Sequence, residues 1–405
     1  MLTTAQTTPS SEIETRTHKL KSHLADAGLD AALILQISDL FYFTGTIQQS
    51  HLYVPIDGEP LIMVRKDYER ALSESPVESI IPIKTPQQLP ELLRQNGYRL
   101  PRKLGMELDV LPTNLYLNYQ KILGGMAIVD VSPALRMIRA VKSEYEIDLI
   151  RQAAHFSDQV ADSMPEFLRE GITEIELAGL VEGRARTLGH QGIVRMRLWG
   201  AEIFYGHLMA GPSAAIPSYL ASPTGGAAVS PAVAQGSSFR PIRRHEPVLL
   251  DYVFAHQGYL SDHTRIFSIG QLPDHLLRAH EAMLKIQARV KEEARPGVRA
   301  GDVYDSAVKM AEELGYADNF MGFDDQRIRF IGHGIGIELD EFPFLARGQK
   351  LELEQGMIIA LEPKLIFPGV GVIGIENTHV VTPKGLEQLG RFNEQVNIIE
   401  VKKGG

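Results

Sequence analysis

A chain of 405 residues with a net charge of −9 is too long for a single hydrophobic core and too acidic to suggest nucleic acid or an anionic membrane as its partner. It contains no cysteine, so disulfides are excluded and any metal must be held by oxygen and nitrogen donors. That absence fits a reducing cytoplasm, and no apolar run approaches the roughly 18 residues of a membrane span.

The opening stretch MLTTAQTTPSS, residues 1–11, has neither the basic start nor the apolar run of a secretory signal. It reads as a mobile tail, and a cytoplasmic location is expected. Glu12–Ala27 then reads as a helix, with Ile13, Leu20 and Leu24 on one side and Gly28 ending it. Ala31–Gln36 is a buried strand, Leu40–Thr44 follows, and Leu52–Pro55 with Leu61–Val64 forms a hairpin. Thr85-Pro86 caps a helix that ends at Gly97, and Thr113–Leu123 is another. Strands alternating with helices indicate an α/β domain over 12–141. No catalytic cluster falls in it, so its role is to wall a site or make a dimer contact.

A second domain, 142–405, opens at Ser143 and Glu146, which have capping-box spacing, as do Thr173 and Glu176. Pro273–Ala294 and Gly301–Leu314 are further helices. Gly211–Gly236 is rich in small residues, Ser and Pro, and reads either as a loop covering the site or as a neutral insertion. Trp199 and Tyr205 read as core.

The chemistry gathers in two hairpins. In PVLLDYVFAHQGYLSDHTRIF, Val248–Phe254 and Tyr259–Phe267 pair about a turn at Ala255–Gly258, which sets Asp251 opposite Asp262. Like charges so placed are destabilising. Either one binds a proton or something cationic sits between them. In GMIIALEPKLIFPGVGVIGIENTHVV, a bend centred on Gly369 sets Glu362 opposite Glu376. Between the hairpins, Gly332-His333-Gly334 offers an imidazole bracketed by glycines, which let the backbone come close to whatever the ring binds. Four carboxylates and one His suit hard-to-borderline divalent ions, namely Mn, Co, Fe or Zn. Four acids exceed the needs of one ion, which points to two.

The order Asp251, Asp262, His333, Glu362, Glu376, within GYLSDHTRIF, GHGIGIE, ALEP and IENT, resembles the M24 metallopeptidases. Thr17–Gly45 and Leu135–Ala154 are similar to stretches of the prolidase and creatinase branch. The resemblance implies an α/β amino-terminal domain, an α+β pita-bread catalytic domain of antiparallel hairpins with flanking helices, two metal ions, and a homodimer. It implies that Asp262 and Glu376 bridge the ions, that Asp251 completes one position and His333 with Glu362 the other, and that Glu362 is the general base. Thr264 and Arg265 are read as supports of the second metal strand.

Three positions depart from the pattern of the family's peptidases. Asp340, in DEFP, stands where they have a His that stabilises the tetrahedral intermediate. Ser218 replaces a second His, and Gly374 replaces an Arg two residues before the last ligand. Asp340 is expected to face the site and act on substrate as an anion, unless it only pairs with a neighbour such as Arg329. His207 and Ser218 are the candidate substrate contacts. The expected activity is hydrolysis of a peptide or amide bond in a short peptide or small molecule, weak or absent on standard Xaa-Pro dipeptides. The alternatives are a lyase or C–N hydrolase acting on a small zwitterion, and a non-catalytic binding protein.

Overall fold

The computed structural model describes residues 7–202 and 205–400. It divides into two compact units, Met1–Arg139 and Ala140–Gly405. Of the expected tail, residues 1–6 lie outside the described residues, while Ser10 already opens the first helix, Ser10–Asp26. Its Ile13, Leu20 and Leu24 are buried at helical spacing.

The amino-terminal unit is built on a six-stranded mixed sheet. Ala31–Ile34 lies inside it, antiparallel to Ser50–Pro55 and parallel to Lys103–Met106. The stretch after the first strand is a short helix, Ile37–Thr44, started by Gln36, whose side chain accepts from the Asp39 amide. One buried ion pair braces this unit: Arg139 Nη1 lies 2.7 Å from Asp39 Oδ1.

The carboxyl-terminal unit has a four-stranded sheet, with Gly206–Ala210, Val248–His256, Tyr259–Ile269 and Asn397–Ile399 adjacent in that order. A five-stranded sheet contains Phe330–Gly334, Ile358–Leu361 and Asn377–Thr382. Helix Glu144–Asp162 starts on the expected capping box of Ser143 and Glu146 and buries Ile147, Ile150 and Ala154. Its Phe156 ring stacks on Phe254 at 5.1 Å, so the strand that carries Asp251 is anchored from behind by packed side chains. Among the described residues, no helix is long and apolar enough to cross a membrane.

Candidate metal centre

The first hairpin is a regular ladder running from Val248↔Phe267 to His256↔Tyr259. Its turn is only Gln257-Gly258, both with positive φ (48° and 89°). That matches the right-handed twist of the strands it joins. The tighter turn moves the register two places from the expected one. Asp251 faces Thr264, and Asp262 faces Val253. A two-residue shift keeps every side chain on its face, so both acids still point into the site. They are diagonal neighbours rather than directly opposed.

The second hairpin keeps the expected register, with Lys364↔Gly374 and Leu361↔Asn377 on the same diagonal. Its ladder is interrupted at Pro363, which has no N–H to give, and Glu362 and Glu376 lie at that interruption. The two hairpins meet there: the Thr264 and Glu376 amides each donate to the other's carbonyl at 3.3 Å. One row therefore crosses neighbouring strands as His207, Asp251, Thr264 and Glu376, with Glu362 beyond.

His333 sits at an irregularity in the pairing of its strand. The flanking glycines make room for protein rather than for a ligand: a Cβ at Gly332 would lie 2.5 Å from the Ala360 carbonyl. The His333 Nδ1–H donates to the Gly334 carbonyl at 3.0 Å, which leaves Nε2 as the ligand atom. Nε2 lies 3.8 Å from Asp262 Oδ2, 4.0 Å from Glu362 Oε1 and 4.0 Å from Glu376 Oε1. The Asp262 and Glu376 spacings can be spanned by atoms each about 2.1 Å from one shared ion. Asp262, His333 and Glu376 are all buried and form a group able to hold a metal. Glu376 Oε1 is buried with no hydrogen-bond partner among the described residues, as a ligand oxygen awaiting an ion would be.

The other side of the cluster already holds a cation. Lys364, wholly buried, brings its Nζ to 2.9 Å from Asp251 Oδ2, 2.8 Å from Glu362 Oε2 and 3.0 Å from Glu376 Oε2. An ammonium has three N–H donors, and three carboxylates accept them. The donor set thus fits one divalent ion on the His333 side, whereas the Asp251 side is filled by the ammonium.

The protonation tendencies agree. Burial alone would lower Lys364, but Asp251, Glu362 and Glu376 hold it well above its ordinary value, so it is charged. Burial and the neighbouring Glu376 and Asp251 push Asp262 well above the carboxylate range. Burial pushes Glu376 up to about 7 even though Lys364 opposes the rise. One ammonium does not neutralise four acids; the cluster retains a demand for positive charge.

The supports come from the same strands. Thr264 Oγ1 donates to Glu376 Oε2 at 2.8 Å, and Thr378 Oγ1 accepts from the Asp262 amide at 2.9 Å. Arg265, fully buried, donates to the carbonyls of Thr264, Glu376, Phe392 and Asn393 and to Asn377 Oδ1.

A cavity of about 110 Å³ opens over the cluster, lined by His207, Asp251, Asp262, His333, Asp340, Glu362, Lys364 and Glu376 among others. His207 is buried beside Asp251 with Nδ1 3.2 Å from Thr224 Oγ1, and burial lowers its pKa. Asp340 is one-third exposed, with Oδ1 3.6 Å from His333 Nδ1, and among the described residues it makes no ion pair with Arg329. Its place is set by Glu341, whose carboxylate accepts from the Ile337 and Glu338 amides and from Lys142.

Ser218 does not line this cavity. It faces an adjoining hollow with Pro217, Phe323 and Ile366, and its Oγ accepts from the Leu220 amide. The same segment still reaches the site through Leu220, Ala221, Ser222, Pro223 and Gln235. Buried Glu174 ties down both ends of the segment by accepting from the Ala210 and Ser238 amides at 2.9 Å. Trp199 is 93% exposed and belongs to no core; as a lone aromatic in an irregular stretch it had no periodicity to place it. Tyr205 is half-buried against His190, at 4.4 Å between ring centroids.

Residues 148–383 match the metallopeptidase family M24, and residues 16–141 match the creatinase/prolidase N-terminal domain. The chain belongs to the M24 family. Among its curated relatives are Xaa-Pro dipeptidases of Pyrococcus furiosus and Lactobacillus delbrueckii, each 26% identical, over 94% and 95% of this chain and 99% of each relative. Among solved structures, an Xaa-Pro dipeptidase from Bacillus anthracis superposes with a TM-score of 0.81 at 23% identity, covering 95% of this chain and 99% of the other. A dipeptidase from Mycobacterium ulcerans gives 0.79 at 25% identity, covering 98% and 100%. The fold is that of prolidase: the creatinase-type α/β domain followed by the M24 pita-bread domain.

Lys364 is the residue that motif reading passed over. It directly follows Glu362-Pro363, and the period of two along a strand places its side chain on the same face as the Glu362 carboxylate. That parity was available in the sequence.

Proposed function

We propose that this M24 chain is a metal-dependent hydrolase of a peptide or amide bond in a short substrate, with a specificity other than that of a standard Xaa-Pro dipeptidase. The observation that carries this reading is the buried group Asp262, His333 and Glu376, with Glu376 Oε1 unpartnered among the described residues and facing the His333 ring. A divalent ion bound there would polarise the scissile carbonyl and supply hydroxide near neutral pH. Glu362, whose Oε1 faces the same space while its Oε2 is fixed by Lys364, is positioned to take the proton from attacking water. The relatives named Xaa-Pro dipeptidases support the reaction class. Asp340 at the cavity wall supports the change in specificity, because a carboxylate attracts a substrate cation and cannot donate to a developing oxyanion unless protonated. His207, buried beside Asp251, supplies a substrate contact from the neighbouring strand. A homodimer goes with this reading, and light scattering at micromolar concentration tests it.

The test is a screen of Mn-reconstituted protein on dipeptides, Xaa-Pro peptides and small amide-bearing zwitterions, read by amine release. The reading predicts hydrolysis of at least one short substrate, strongest where a cation can meet Asp340, and little on Gly-Pro. Asp340→Asn should lower turnover of that substrate by at least about tenfold, equivalent to about 1.4 kcal/mol of transition-state stabilisation. Prolidase-like turnover of Gly-Pro, or wild-type rates in Asp340→Asn, would contradict it.

A further inference from the structure

One buried charge lining the cavity, Lys364, lies outside the residues expected to hold a metal or substrate. Lys364 contributes no free donor to the cavity, because its three N–H groups are taken by Asp251, Glu362 and Glu376 at 2.8–3.0 Å. It is therefore placed neither to bind substrate nor to shuttle protons. It stands where a cation shared by those three carboxylates would stand.

The chain makes room for this side chain. Gly374 is the direct cross-strand partner of Lys364, and a Cβ at position 374 would come within 2.6 Å of Lys364 Cγ. Any side chain at 374 would collide with the stem of the lysine and with the backbone beneath it, the Pro363 carbonyl lying 2.8 Å away. The two residues thus pack as one unit, the bare Cα of Gly374 leaving room for both the strand backbone at Pro363 and the Lys364 stem. Lys364 is also fixed from its backbone, since its carbonyl accepts from the Met321 amide at 2.9 Å. A side chain with both its stem and its ammonium engaged is not a mobile gate.

We propose that the Lys364 ammonium replaces one of the two divalent ions, so that this chain binds a single ion, held by Asp262, His333 and Glu376, with the free oxygen of Glu362 left to face the attacking water. The inference rests on the metal-dependent reading above. The division of the carboxylate oxygens supports it: Glu362 and Glu376 each give Oε2 to Lys364 and turn Oε1 toward His333. Asp251, which has no partner position left for an ion of its own, serves as counter-ion to the ammonium.

The experiment is a metal count. Full-length protein is stripped with chelator, equilibrated with excess MnCl2, desalted and measured by elemental mass spectrometry against protein concentration. The expected result is one Mn per wild-type chain, none in His333→Ala, and two in Lys364→Gly, where the ammonium is gone. Two Mn in the wild type would overturn the inference and leave the hydrolase reading intact. One Mn in Lys364→Gly would overturn the claim that the lysine is what blocks the second position. No Mn in the wild type, with hydrolysis unaffected by chelator, would overturn both. The wild-type count requires no variant to fold, so it decides even if Lys364→Gly is insoluble.

Discussion

The two hairpins of the catalytic unit each deliver two acids to one site, but they handle the resulting repulsion differently. The first, Val248–His256 with Tyr259–Ile269, is an unbroken ladder closed by a two-residue turn. It offsets its acids diagonally and brings no cation. The second breaks its ladder at Pro363, brings Glu362 and Glu376 together at the break, and threads Lys364 back between them. Regular pairing thus holds the first pair in place, with Asp251 also taking one N–H of Lys364 from the other hairpin, and an internal ion cluster holds the second. Like-charge pairs can be held by backbone order or by a built-in cation, and each solution fails in its own way.

The largest expected effect is on the cluster. Lys364→Met removes the cation and leaves the buried Glu362 and Glu376 carboxylates facing each other and the partly buried Asp251. Breaking a buried ion pair from one side typically destabilises by about 3–5 kcal/mol. Denaturant melts of metal-free protein should show a loss of that order, and added Mn should recover much of it by binding the native state alone. A metal-free variant as stable as wild type would mean that backbone order suffices for the second hairpin too.

Arg265 sharpens the comparison, because it belongs to the first hairpin and holds the carbonyl beside Glu376 in the second. Arg265→Lys offers three donors where five acceptors are now served. A loss of about 2–3 kcal/mol is expected from the unsatisfied buried groups. If Arg265→Lys is neutral in urea melts, the guanidinium does not contribute to the coupling of the two hairpins, which is then carried by Thr264, Thr378 and Lys364.

The smallest effect is at the turn. Gly258 has φ of 89°, and Gly258→Ala should cost about 1 kcal/mol through strain at positive φ. The register and the metal count should be unchanged. A change in metal count from this half-buried turn would show that the first hairpin's register is less secure than its ladder suggests.

Much of this was legible in the sequence because strands alternate and turns leave marks. The five residues Asp251, Asp262, His333, Glu362 and Glu376 could be gathered from opposed acids and a glycine-flanked His. The register of the second hairpin followed from centring it on Gly369. The first hairpin came out two positions off, because the left-handed conformation of Gln257 let the turn be shorter than its composition indicated. Its faces were still right, since the shift was even. Helix Ile37–Thr44 is a short apolar run that periodicity alone does not separate from a strand. Ser218 was placed by motif spacing, and the rebuilt segment around it carries the residue to a neighbouring hollow. Gly374 looked like a missing guanidinium; in three dimensions it lies against the Lys364 stem and the Pro363 carbonyl, where no Cβ has room. Single positions were readable, while the pairing of an absence at 374 with a presence at 364 required the register.

The central claim is that one side of this metal centre is filled by the protein's own ammonium. The most direct measurement is a crystal structure of Mn-soaked wild-type protein with data collected at the Mn absorption edge. The account predicts a single anomalous peak beside His333 Nε2, with Lys364 Nζ in density between Asp251 and Glu376. Two peaks flanked by all four carboxylates, with Lys364 displaced from the cluster, would contradict it.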